Sequence, residues 1–163
     1  MTGVEPHHNL AAIARRRVRR LPTTQVLEGL ADSLPLEDRS VDFMHARWAY
    51  FFGPGCEPGL AELDRVMRPG GFAVILDNDP TRSTFGAWFA AGFPEVDPDV
   101  VERFWSEHGW NRVRVLTAWD FETASDLEDV VRIELPGAAA DAALADHSGL
   151  HVDYAVNLWW RWL

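Results

Sequence analysis

Leu63-Asp64-Arg65-Val66-Met67-Arg68-Pro69-Gly70-Gly71, followed without a break by Phe72-Ala73-Val74-Ile75-Leu76-Asp77, is the stretch that decides the fold. Upstream of it, Glu57-Pro58 suits a helix start, because proline is tolerated in the first turn. Leu60, Leu63, Val66 and Met67 recur at helical spacing and predict a buried stripe. Pro69-Gly70-Gly71 predicts the stop, since proline cannot continue a helix and glycine accepts the left-handed conformation of a helix end. Phe72 to Leu76 is a continuous apolar run, as expected of a strand covered on both faces in a parallel sheet.

Working outward, apolar runs alternate with amphipathic ones, which is the α/β pattern. Gly3-Val4 is a strand stub leading into Glu5-Pro6. Residues 8 to 20 predict a helix with Leu10, Ile13, Ala14 and Val18 on its apolar face. Thr24 to Glu28 predicts a strand closed by Gly29, and residues 40 to 46 predict another, with a helical continuation over Arg47 to Phe52. Gly53-Pro54-Gly55 is a turn. Downstream, Asp99 to His108 predicts a helix ended by Gly109, and Arg112 to Leu116 alternates as a strand. Ser125-Asp126-Leu127-Glu128 reads as a capping box, and Ala138 to Ala145 as a helix. Val152, Tyr154, Val156, Leu158, Trp160 and Trp162 share one face of a closing strand. With no repeat, linker or break in composition, residues 1–163 are expected to form a single domain.

Composition removes several function classes. All fifteen basic residues are arginine, so a lysine Schiff base, a P-loop Gly-Lys-Ser/Thr grip and a Tyr-x-x-x-Lys dehydrogenase pair are excluded. The single cysteine, Cys56, excludes an internal disulfide and a thiolate-rich zinc site. A net charge of −10 and a pI near 4.9 oppose a nucleic-acid partner. The Arg15 to Arg20 cluster reads as the solvated face and last turn of a helix. No apolar run approaches the roughly 20 residues of a membrane span and no signal peptide opens the chain, so a cytoplasmic protein with a small-molecule substrate and no membrane partner is expected.

Four blocks in order resemble a class I S-adenosylmethionine-dependent methyltransferase of the broad small-molecule type. Gly3-Val4-Glu5-Pro6 resembles the end of that family's second strand. The resemblance makes Glu5 the acceptor for the ribose hydroxyls of the cofactor, beside Pro6. Glu28-Gly29-Leu30-Ala31-Asp32-Ser33-Leu34-Pro35 is similar to the adenine-contacting loop, with Leu30 where an acidic residue is usual, which leaves Ala31 and Asp32 to meet the adenine. Ser40-Val41-Asp42-Phe43 through Ala46-Arg47 looks like the fourth strand, with Ala46 and Arg47 at the cofactor and Asp42 structural. The block from Leu63 to Asp77 is the most specific. The resemblance implies a Rossmann-like, three-layer α/β sandwich with S-adenosylmethionine as cofactor and a small-molecule methyl acceptor.

The family's first strand and Gly-rich loop have no counterpart here, so the chain is expected to be truncated at its N-terminus before the second strand. That strand sits between the second and fourth in the family, and its absence predicts a gap in the sheet with two unpaired edges. A non-catalytic binding or regulatory remnant is the alternative to an enzyme.

Strand tips supply the acceptor pocket: His45, Trp48 and Tyr50 after the fourth strand, Asp77 and Asn78 after the fifth. His45 reads either as a base or as a strand residue facing a covering helix, and no residue is assigned as catalytic. Arg82, Phe85 and Trp88 read as a substrate lid or as a packed helix. Asp77-Asn78-Asp79 admits a rival reading as an Asp-x-Asp metal site, although acidic residues in a polar turn are commonplace. His147 and His151 are not aligned for a metal because Gly149 intervenes, and no metal site is expected.

Overall fold

The structure, a computed structural model, describes residues 1–50 and 53–163. The chain divides into two compact units, one of Met1–Ala73 with Trp162–Leu163, the other of Val74–Arg161.

In the first unit, β1 (Thr2–Glu5) leads into α1 (His8–Val18) and returns as β2 (Gln25–Glu28). β1 and β2 pair in parallel, with Thr2 opposite Gln25 and Glu5 opposite Glu28. Helix α1 packs on both, yet only Ala11 of it is fully buried. Leu10 and Ile13, expected in the apolar stripe, are exposed, because a two-stranded sheet is too narrow to cover a whole helix face. Arg15 folds back from the arginine cluster, donating to the Val26 carbonyl and to Glu28.

β3 (Val41–Arg47) and α2 (Glu57–Val66) follow. The expected helical continuation from Arg47 is not formed in the described part: Arg47 ends the strand and Trp48 to Tyr50 are bends. Phe51 and Phe52, included in that expectation, lie outside the described residues. The stripe on α2 is buried as expected at Leu60, Leu63 and Val66, with Met67 just beyond.

The stop differs from the expectation. α2 ends at Val66, Met67 is already extended at φ −75° and ψ 141°, and β4 runs from Met67 to Asn78. Arg68-Pro69-Gly70-Gly71 is therefore strand. Proline is tolerated near the start of a strand, and the positive φ of 81° at Gly70 serves as a kink within β4. The Gly70 amide donates to the Leu163 carbonyl, and the Leu163 amide donates to Gly71. The far end of the chain thus fastens this segment. Phe72 lies between Phe43 and Trp162, at ring distances of 6.1 and 4.7 Å.

β4 continues into the second unit, followed by α3 (Ser83–Gly92), α4 (Pro98–Glu107), β5 (Asn111–Asp120), α5 (Ala124–Glu134), α6 (Gly137–Asp146) and β6 (His151–Trp162). The four-stranded sheet has the order β3-β4-β6-β5. β5 and β6 are antiparallel from Asn111 opposite Trp160 to Asp120 opposite His151. β6 has both edges paired because it lies between two strands, and its middle part is covered on both faces. Ala155, Asn157 and Trp159 are covered as well as Val152 and Val156, whereas Trp162, in alternation with Val152 and Val156, is 67% exposed. Trp105 packs against Trp110 and Trp159 at 5.3 and 5.6 Å. The cap of α5 is Thr123 rather than Ser125: its Oγ1 accepts from the Asp126 amide at 3.1 Å.

Candidate functional site

A cavity of about 1470 Å³ lies within the first unit, between β1 and β3. Among the described residues, β1 has β2 as its strand neighbour and β3 has β4. Each therefore turns an unpaired edge toward the cavity, the gap expected in the sheet. Such an edge carries free backbone donors and acceptors.

Glu5 ends β1 beside this space. Its Oε1 accepts from the His7 amide at 2.9 Å, and its other oxygen has no partner among the described residues. Pro6 follows it on the lining. After β2, the chain turns tightly, with the Ser33 amide donating to Leu30, and presents Ala31 and Asp32 to the same cavity. Gly29 opens this turn because a Cβ there would stand 2.5 Å from Pro35 Cδ.

Helix α2 holds the turn in place. Arg65 Nη2 donates to the Leu34 carbonyl at 3.0 Å and Nη1 to the Leu36 carbonyl at 2.9 Å. Glu62 Oε2 accepts from the Leu34 amide, and Arg65 also pairs with Glu62 and Asp38. Hydrogen bonds from Arg65, then from the Leu34 amide, pull the Glu62 carboxyl down to about 2. Hydrogen bonds to Glu62, then to Asp38, push the Arg65 guanidinium up. Sequence reasoning did not single out Glu62 and Arg65; their i,i+3 spacing on α2 was the available signal.

β3 lines the opposite side. Ala46 is buried at its tip, while His45 and Arg47 are exposed. His45 does not pack under a helix, and it has no hydrogen-bond partner among the described residues. The Arg47 guanidinium lies 3.7 Å from the Trp48 ring centroid, and Trp48 sits at φ 46°, a conformation costly for a bulky side chain. Tyr50 is 3% exposed and its hydroxyl has no partner among the described residues. Burial pushes that phenol far up, so it stays neutral and a donor. Gly59 makes room for its ring: a Cβ there would meet Tyr50 Cε1 at 2.7 Å. Gly59 was also missed by the sequence reading.

Nine of the eleven residues anticipated at the site line this cavity; Asp77 and Asn78 do not. They end β4 in the second unit, 3% and 8% exposed. Asp77 Oδ1 accepts from the Asn78 amide, and Asn157 Nδ2 donates to the Asn78 carbonyl. The polar turn expected at Asp77-Asn78-Asp79 is instead a buried strand end. Asp79 is 1% exposed and is held by Thr81 Oγ1 at 2.5 Å and Arg114 Nε at 3.1 Å. Nor is Phe85 a lid residue, because it is buried against Trp119 and Tyr154. Asp42, read as structural, forms an ion pair with Arg68 at 2.7 Å.

The comparisons bear on the two parts of the chain differently. Residues 1–75 match the family described as "Methyltransferase domain". A demethylmenaquinone methyltransferase from Staphylococcus aureus (strain JH9) is 28% identical over 99 residues, covering 60% of this chain and 41% of the relative. The chain thus spans about two fifths of the length of the curated relatives it matches. Similar solved structures cover almost all of it. The YcgJ protein of Bacillus subtilis superimposes with a TM-score of 0.64 at 15% identity, over 99% of this chain and 81% of that one. A methyltransferase from Thermotoga maritima described as S-adenosylmethionine-dependent, a possible histamine N-methyltransferase, gives 0.57 at 21% identity, over 97% and 70%. The [4+2]-cyclase SpnF gives 0.56 at 16%, over 98% and 65%. At these identities the structural likeness establishes the fold alone. Residues 1–75 match methyltransferase-domain sequence, and the chain takes the Rossmann-like fold of class I methyltransferases.

Proposed function

We propose that the chain binds S-adenosylmethionine at the cavity between β1 and β3 and serves methyl transfer to a small-molecule acceptor. The observation that carries this reading is the Glu5 carboxylate at the strand tip, with one oxygen uncommitted among the described residues, lining the same cavity as the Ala31-Asp32 turn. An acceptor-only side chain there suits a pair of ribose hydroxyls, and the turn clamped by Arg65 suits an adenine edge. The residues present therefore fit the adenosine half of the cofactor. For the methionine end, the lining offers Pro54 and Gly55 of the Gly53-Pro54-Gly55 turn, which precedes α2 rather than following a strand.

The cofactor, when bound, supplies an electrophilic methyl group on a sulfonium. The chain's own task is then to orient the acceptor and exclude water. His45, exposed on the lining, is the residue proposed to take a proton from the acceptor, with Trp48 and Tyr50 on the same wall. The Staphylococcus relative, named as a demethylmenaquinone methyltransferase, supports a small-molecule acceptor.

Calorimetric titration of the full chain with S-adenosylhomocysteine tests the reading. Saturable but weak binding that Glu5→Gln diminishes is the expected result. No heat at millimolar ligand would favour the second reading, a non-catalytic remnant, for which the unpaired edges of β1 and β3 speak.

A further inference from the structure

A different cleft, wholly within the second unit, has a charge that its surroundings do not explain. Unit Val74–Arg161 carries sixteen aspartates and glutamates against six arginines, Arg82, Arg103, Arg112, Arg114, Arg132 and Arg161. The whole net charge of the chain resides there, since the first unit has nine of each sign. Yet three of those six arginines, Arg82, Arg112 and Arg114, line one cleft of about 580 Å³, with Glu102 as the only carboxylate on its wall.

Two of the three are positioned by internal partners. Arg112 pairs with Glu102, and its guanidinium carbon lies 5.2 Å from the Trp159 ring centroid, which limits its rotation. Its side chain is only 15% exposed. Arg114 donates to buried Asp79 and reaches Glu102 at 3.8 Å. These two carboxylates balance two guanidinium groups. Arg82 has no partner among the described residues, so the cleft retains one uncompensated positive charge and a free fork of N–H donors. Ser106 and Asn111 add neutral polar groups to the same wall.

We propose that this cleft is a binding site for a small oxyanion, the carboxylate or phosphate of a ligand, with Arg82 as its principal contact and Arg112 and Arg114 as its held-in-place neighbours. A guanidinium fork matches two oxygens of either group. A concave wall concentrates the field of its charges, which lets one surplus cation act within an acidic unit. The proposal is independent of the cavity between β1 and β3.

Calorimetric titration of the full chain with inorganic phosphate, and separately with sodium acetate, tests it at ionic strength held constant with chloride. At least one anion is expected to bind saturably. Arg82→Ala should weaken that binding about tenfold, the loss of one charge-assisted contact. Arg82→Lys should recover part of it. Arg103→Ala changes the unit's charge identically at a site off the cleft wall and should alter affinity less than about twofold, as screening implies. Arg82 is exposed and carries no internal hydrogen bond among the described residues, so its variants retain the fold; circular dichroism checks this. Equal losses in Arg82→Ala and Arg103→Ala would reduce the effect to net charge. No saturation by either anion at about 20 mM, an affinity near 2 kcal/mol, would overturn the proposal.

Discussion

Glu62 and Arg65 grip the two sides of a single residue: Glu62 accepts from the Leu34 amide at 2.9 Å and Arg65 donates to the Leu34 carbonyl at 3.0 Å. One turn of α2 thereby fixes the loop that carries Ala31 and Asp32. The arrangement has a pH signature. Glu62 in the folded chain titrates at about 2, below its ordinary value of 4.5. Its contribution is therefore complete above about 4.5 and disappears as the pH falls toward 2. Glu62→Gln should be less stable than the parent at pH 7, and the gap should close by about pH 2. Urea unfolding across that range measures it.

Tyr50→Phe removes a buried hydroxyl that has no partner among the described residues. Stability should rise by about 1 kcal/mol, because an unsatisfied polar group is costly to bury. If S-adenosylhomocysteine affinity falls in the same variant, the hydroxyl serves the ligand. Thermal unfolding and calorimetry on one preparation distinguish the two effects.

Gly59→Ala places a methyl group 2.7 Å from the Tyr50 ring. Both residues are buried, so the ring must shift. A loss of about 1–3 kcal/mol is expected, as for overpacking in a core, with a lowered melting temperature as the readout.

Arg114→Ala strips the buried Asp79 carboxylate of its cation, leaving Thr81 to donate to it. A cost of about 2 kcal/mol at pH 7 is expected, below the full value for a buried pair because Arg114 is one third exposed. Asp79→Asn in the Arg114→Ala background should restore part of the loss. Denaturant unfolding of the single and double variants supplies the cycle.

Glu5→Gln tests the cavity without touching the core, since Glu5 ends a strand and the one hydrogen bond of its side chain among the described residues is local. S-adenosylhomocysteine binding should weaken by about ten- to a hundredfold, the range of a charge-assisted hydrogen bond. The melting temperature of the unliganded chain should stay within about 2 °C of the parent.

Much of the fold was legible because the decisive signals are local. The buried stripe on α2, the apolar run of β4 and the glycine after β2 each act within a few residues. The errors have a common physical origin in partners distant along the chain. Pro69-Gly70-Gly71 looks like a helix stop in isolation, and only Leu163, pairing from the other end of the sequence, makes it strand. Leu10 looks buried until the sheet beneath α1 proves two strands wide. At the site, the residues borne by short motifs, Glu5, Ala31, Asp32, Ala46 and Arg47, fall on one cavity. Asp77 and Asn78 look like loop residues because their polarity hides the fact that β4 runs to Asn78. Glu62 and Arg65 act on the backbone of another segment and Gly59 on the Tyr50 ring; the i,i+3 spacing of the ion pair announces the pair but not what it holds.

The division between the two units falls between Ala73 and Val74, inside the twelve residues of β4. No linker lies there for a protease to find, nor any neutral seam for recombination. Expressing either unit by itself would sever a strand mid-ladder and expose its cut hydrogen bonds. A fusion or circular permutation of this protein has to place its new ends elsewhere, at an exposed loop such as Ser148 to Leu150 between α6 and β6.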